Sequence, residues 1–151
     1  MLPAAQWLAV VRDAPLVSID LILRDRQQRV LLGWRNNEPA RNSWFVPGGV
    51  IRKSETLDAA FSRIAQGELG LPLARSQADL LGVYEHHYAC NFAGIDGVAT
   101  HYVVLAHQAA IDDAALHADA QHRELRWFSV AALLADPSVH DNTKAYFVEA
   151  G

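Results

Sequence analysis

The segment that constrains this chain most is Gly48 to Leu71, GGVIRKSETLDAAFSRIAQGELGL. Just before it, Trp44 to Val46 reads as a short strand that ends at the turn signal Pro47-Gly48-Gly49. Two adjacent glycines let the backbone turn sharply and can expose a carbonyl to a bound cation. Downstream, Leu57, Ala60, Phe61 and Ile64 fall at i, i+3, i+4 and i+7, which predicts a helix over Thr56 to Leu69 with one apolar face. Gly70 and Pro72 stop that helix. Glu55 opens it, where the positive end of the helix dipole favours a carboxylate, and Arg63 and Glu68 follow along it.

Around this unit the pattern alternates. Met1 to Pro15 reads as a short first helix, and Leu16 to Arg24 (LVSIDLILR) as a β-branched, apolar strand. Arg29 to Gly33 is its hairpin partner across Asp25 to Gln28, and Trp34 to Ser43 is a loop. Leu80 to Tyr88 and Val98 to His107 read as strands joined by Ala89 to Gly97, and Glu124 to Phe128 as a further strand. Helices are predicted over Ser129 to Ala135 and Asn142 to Ala150. This order implies an α+β class, a mixed-sheet sandwich with helices on both faces, expected as a single domain over residues 1–151.

Composition narrows the function. The chain is 51% hydrophobic and 20% charged, which suits a globular protein. A net charge of −4 disfavours a non-specific nucleic-acid binder but leaves room for a small anion held by local arginines. No apolar run is long enough to span a membrane, and the N-terminus lacks the basic start of a secretory signal. Cys90 is the only cysteine, so no disulfide forms within the chain, and a cytoplasmic location is expected. That thiol reads as structural or incidental rather than as a nucleophile. The seven histidines give no zinc signal, because no pair has the sequence spacing of a zinc site.

The central segment resembles the Nudix box: Gly, five residues, Glu, seven residues, then Arg-Glu-apolar-x-Glu-Glu-x-Gly-apolar. Gly49, Glu55, Arg63, Glu68, Gly70 and Leu71 match in register. The resemblance implies a Nudix-type α/β/α sandwich with a mixed central sheet. The departures are as informative. Ile64 and Gly67 replace two acids of the box and lie at i and i+3 on the face where Glu68 is i+4. One carboxylate cannot gather several Mg²⁺ ions, each of which needs many oxygen ligands.

The same erosion, with the arginine and last glutamate kept, is similar to the GDP-mannose mannosyl hydrolases. The likeness extends through Pro15 to Asp20, Leu31-Leu32-Gly33-x-Arg35-x-Asn37, Asn91-Phe92, Thr100 to Leu105, Glu124-x-Arg126-Trp127 and Ala145-Tyr146-Phe147. It implies one Mg²⁺, with Mn²⁺ as a substitute, on the Gly48 carbonyl, Glu68 and Gln121. It implies His122 as the base that activates water, and Arg35 on the leaving diphosphate. Arg63 either shares that task or orients an acid of the box. Asp20 and Tyr102 would hold sugar or phosphate groups, with His86 as a secondary contact. The family commonly carries an arginine directly after the glycine pair. Here that position is Val50, and Arg52 is the candidate substitute. A small-molecule nucleotide-sugar and a homodimer are the implied partners, with the apolar first helix as a contact.

By residue type alone several of these positions read more plainly. His122 lies in a polar stretch and would pass as a solvated histidine. Arg35 would pass as a surface residue. His86 and His87 are adjacent in a strand and point to opposite faces, so at most one lines a pocket. Asp20, inside an apolar strand, requires a partner whether its role is functional or structural. Three activities therefore stand side by side: hydrolysis of GDP-mannose, and also GDP-glucose, at the sugar carbon; ordinary phosphoanhydride cleavage of a nucleotide-sugar; and an inactive Nudix-like binding module.

Overall fold

A computed structural model describes residues 2–112, 116 and 124–148. Helix α1 spans Ala4–Asp13 and is followed by strands β1 (Leu16–Arg24), β2 (Val30–Arg35), β3 (Ser43–Phe45) and β4 (Gly48–Val50). Then come α2 (Leu57–Leu69), β5 (Asp79–Tyr88), β6 (Thr100–Ala110), β7 (Leu125–Phe128), α3 (Val130–Ala135) and α4 (Asp141–Lys144). The strands form one mixed sheet with the path β3-β2-β1-β6-β5, β4 beside β1 and β7 beside β2.

Strand β1 is the spine. It runs parallel to β6 over its full length, from Leu16↔Tyr102 to Arg24↔Ala110. Its other edge is divided. β2 meets it at the hairpin end, Arg24↔Val30, and β4 takes over at Ser18↔Val50 to Asp20↔Gly48. β1 and β2 therefore part beyond the hairpin, and a cleft opens between them.

Side-chain alternation gives the sheet two apolar faces. Ile19, Leu21, Leu23 and Leu31 pack under α2 against Ala60, Phe61, Ile64, Ala65 and Leu69. Ile22, Val30, Leu32, Trp44, Phe128, Leu133 and Tyr146 fill the opposite side. Helices thus cover both faces, the three-layer arrangement expected from the sequence. Phe61 is fully buried, and its transfer from water contributes roughly 2–3 kcal/mol.

The structure corrects four local expectations. Pro47-Gly48-Gly49 is more than a turn: Gly48–Val50 pairs with β1 as a strand. Leu57 does not join the apolar face of α2 and is exposed, because the helix begins there and its first turn overhangs the core. β2 continues past Gly33 through Arg35, held by β3. Of the helix expected over 142–150, the described part is a single turn, α4, followed by a 3₁₀ turn at Ala145–Phe147. The apolar face of α1 is turned onto its own chain, where Trp7, Leu8, Val10 and Val11 meet Leu16 and Val98. No described helix is long and apolar enough to cross a membrane.

Candidate active site

The glycine-loop-helix segment is tied together by one ion pair. Arg63 Nε donates to Glu55 Oε2 at 2.6 Å, and Nη2 donates to Glu55 Oε1 at 2.9 Å and to the Val50 carbonyl at 2.8 Å. The same carboxylate accepts the Arg52 backbone N–H at 2.8 Å. These bonds hold the Glu55 carboxyl down at about 2, the Arg63 hydrogen bond contributing most. Arg63 therefore orients an acid of the box and anchors β4, and it does not line the cleft. At the far end of α2, Gly70 adopts φ 65°, a left-handed cap that a side chain would strain.

Replacing Arg63 by alanine strands the Glu55 carboxylate and frees the Val50 carbonyl. We expect a loss of about 1–3 kcal/mol, discounted for the partial exposure of the pair, readable by urea denaturation. A change within experimental error would deny the ion pair its anchoring role.

The two glycines of β4 are required by close approach. A Cβ on Gly48 would meet Asp20 Oδ1 at 2.4 Å, and a Cβ on Gly49 would meet Ile64 Cγ1 at 3.1 Å. Asp20 is thus pressed against Gly48, and Ile64, standing where the family has an acid, is packed into the core behind Gly49. Gly67 is open to solvent. Among the three acid positions of the helix, only Glu68 brings a carboxylate to the cleft.

The cleft has a volume of about 270 Å³. Ser18, Asp20, Gly48, Gly49, Val50 and Glu68 form one wall, and His86, Tyr88 and Tyr102 another. Gly33, Arg35, Pro39, Phe45 and Val46 close it. Arg35 is fixed by carbonyls of the loop that follows β2: Nε donates to Pro39 O at 2.5 Å and to Asn37 O at 3.0 Å. Its guanidinium lies 5.9 Å from the Phe45 ring centroid. Arg52 is exposed and does not line the cleft. Gln121 and His122 lie outside the described residues.

Sequence reasoning missed Tyr146. Its hydroxyl donates to Asp20 Oδ2 at 2.5 Å and stands 3.3 Å from His86 Nε2. Asp20 is partly open to the cleft but otherwise walled in by protein. Burial pushes its carboxyl up to about 7, against the opposing pull of the Tyr146 hydroxyl and of Arg35. His86 is buried and pushed down to about 4, mainly by desolvation. Burial also raises Tyr146 and Tyr102, and takes Tyr88 to about 12. The chain Asp20–Tyr146–His86 can hold a proton in two ways. With Asp20 ionised, Tyr146 donates to it and the neutral His86 donates to Tyr146. With Asp20 protonated, both bonds reverse. The C-terminal turn that delivers Tyr146 carries no local signal of such a role.

Phe45, Tyr88 and His140 add an aromatic rim. Phe45 stacks on His140 at 4.8 Å and 24°, and Tyr88 lies 5.3 Å from the same imidazole. The family model described as NUDIX domain matches residues 14–150. The chain belongs to the NUDIX family of hydrolases. It is 44% identical over 128 residues to the low-salt glycan biosynthesis protein Agl8 of Haloferax volcanii, a match covering 84% of this chain and 79% of that one. Among solved NUDIX structures, a MutT NUDIX hydrolase from Burkholderia pseudomallei superposes with TM-score 0.70 at 25% identity, covering 92% of this chain and all of the other. The NUDIX domain of Shewanella oneidensis NrtR, complexed with ADP ribose, shares the fold with TM-score 0.65 at 20% identity, over 97% of this chain and 96% of that one.

A divalent ion fits the oxygen side of this NUDIX cleft. Glu68 and Gly48 line it together, and the Asp20 carboxyl stands against Gly48. Hard oxygen donors of this kind suit Mg²⁺ or Mn²⁺.

Proposed function

We propose that this NUDIX protein hydrolyses GDP-mannose, and also GDP-glucose, to GDP and the free sugar by attack of water at the sugar C1 with inversion. The observation that carries the reading is the acid-poor face of α2: Ile64 is buried behind Gly49, Gly67 is open to solvent, and Glu68 alone faces the cleft. Such a face supports one ion rather than the clusters that direct water at phosphorus. The glycan-biosynthesis role named for the Haloferax relative agrees with a nucleotide-sugar substrate.

Glu68, the Gly48 carbonyl and Gln121 are the residues assigned to Mg²⁺. Bound there, the ion would supply positive charge to the departing diphosphate. Arg35, lining the same cleft, adds a guanidinium fixed by loop carbonyls. The hexose C1 tolerates positive character beside its ring oxygen. His122 takes a proton from water, the water oxygen bonds to C1, and the C1–O bond to phosphate breaks with its electrons leaving on GDP. Phe45 and Tyr88, both lining the cleft, offer aromatic surface for a base or sugar.

Hydrolysis in ¹⁸O-labelled water tests the reading. Label in the hexose supports attack at carbon. Label in a phosphate product supports phosphoanhydride cleavage, and binding without turnover supports an inactive module. Glu68→Gln is expected to shift the Mg²⁺ titration upward by at least about tenfold. An unchanged titration would remove Glu68 from the ligand set.

A further inference from the structure

Strand alternation sends His86 into the cleft and its neighbours Glu85 and His87 to the other face of the sheet. There the antiparallel register sets His87 opposite His101 of β6. The two imidazoles stack with centroids 4.2 Å apart and planes 24° apart. Glu85 Oε2 lies 3.3 Å from His87 Nε2 and 3.9 Å from His101 Nε2. One ligating atom from each residue falls within 4.8 Å of the others. His101 Nε2 is itself buried and, among the described residues, has no hydrogen-bond partner.

Three electron-pair donors, one of them a carboxylate, thus gather within 4.8 Å of one another. A lone imidazole nitrogen kept from water costs free energy unless something occupies its lone pair or takes its proton. The donor set of two imidazoles and a carboxylate suits Zn²⁺ and its neighbours Co²⁺, Ni²⁺ and Cu²⁺, and suits Mg²⁺ poorly. Bonds of about 2.0–2.2 Å in a tetrahedron place neighbouring ligand atoms roughly 3.4 Å apart. The 3.3 Å and 3.9 Å separations are close to that spacing. The side chains of Glu85 and His87 are 69% and 63% exposed, so His87 can rotate out of its stack on His101 and Glu85 can follow, aiming both at a shared ion without moving the backbone.

We propose that Glu85, His87 and His101 bind a Zn²⁺-class ion on the sheet face turned away from the cleft, pinning the edge strand β5 to β6. The site shares no residue with the proposed Mg²⁺ centre. The fourth coordination position is left to water. The spacing of these residues along the chain does not announce a zinc site, because the pairing of two strands creates it.

The test is a titration of chelator-treated full-length protein with ZnCl₂ by calorimetry, with millimolar MgCl₂ present to occupy the cleft. One Zn²⁺ per chain is expected, with a rise in Tm at saturation. Co²⁺ should give the intense visible bands of a tetrahedral site. His87→Ala and His101→Ala should each weaken Zn²⁺ at least tenfold, and the double variant should lose the Tm rise while keeping Mg²⁺-dependent turnover. Wild-type protein that binds no Zn²⁺, or a double variant that binds it with unchanged stoichiometry and affinity, overturns the proposal. Circular dichroism monitors the fold of each variant. Should the double variant fail to fold, Glu85→Gln and His87→Asn at exposed positions decide alone: a tenfold loss supports the site, and no loss sinks it.

Discussion

Replacing His122 by glutamine is expected to slow hydrolysis of GDP-mannose by about 10²–10⁴-fold, the usual size of a general-base effect, while leaving the fold intact. Glutamine keeps a hydrogen-bonding side chain of similar reach but cannot accept a proton at neutral pH. A histidine near its ordinary pKa is half ionised close to working pH and serves well as a base. Among the described residues, the histidine that lines the cleft, His86, cannot take this part as readily. His86 is buried, pushed down to about 4 and engaged with Tyr146, so its driving force to accept a proton is weak. Among the described residues of the cleft, Asp20 could compete, its carboxyl pushed up to about 7. Initial rates over a range of pH separate the two. If His122→Gln retains the wild-type rate while Asp20→Asn loses it, the base is Asp20 and the assignment to His122 is wrong. If His122→Gln flattens the acid limb of the profile, the assignment stands.

How much of this was legible in the sequence depends on the range of the interactions. Local chemistry read well. The Leu16–Arg24 strand, the helix expected over Thr56 to Leu69 and its closing Gly70 follow from patterns a few residues long; the strand and Gly70 stand as expected, and the helix starts one residue later, with Thr56 as its cap. The Glu55–Arg63 pair lies eight positions apart and the motif announces both residues, though its anchoring of Val50 follows only from the fold. Pairings across the fold did not read. Tyr146 reaches Asp20 across 126 positions, and His87 meets His101 only through the β5–β6 register. Alternation did predict that His86 and His87 part to opposite faces, which is why one enters the cleft and the other joins Glu85. The sequence around Gly48 signals its turn and its available carbonyl. Its deeper constraint, the Asp20 carboxyl against its Cα, appears only when β4 lies beside β1.

The same carboxyl yields the second large effect: Asp20→Asn is expected to stabilise the folded chain above neutral pH, even as it harms turnover. Asparagine keeps an oxygen for the Tyr146 hydroxyl and removes the need to ionise in a low-dielectric wall. Raising the carboxyl from 3.8 to about 7 makes the folded state bind a proton more tightly than the unfolded chain does. Stability from this group is therefore complete below about pH 3.8, falls as pH rises towards 7, and stays low above it. At about 1.4 kcal/mol per pH unit the ionisation costs at most roughly 4 kcal/mol. His86 works in the opposite sense. Lowered from 6.5 to about 4, it leaves stability intact above 6.5 and withdraws it as pH falls towards 4. In the wild type these slopes oppose one another between about pH 4 and 6.5. In Asp20→Asn only the histidine slope remains, so its stability should climb with pH and then level off. Urea denaturation of both proteins at pH 5 and pH 8 reads this directly. The variant's advantage should be larger at pH 8, and parallel curves for the two proteins would mean that Asp20 ionises at its ordinary pH and that the cleft wall does not strain it.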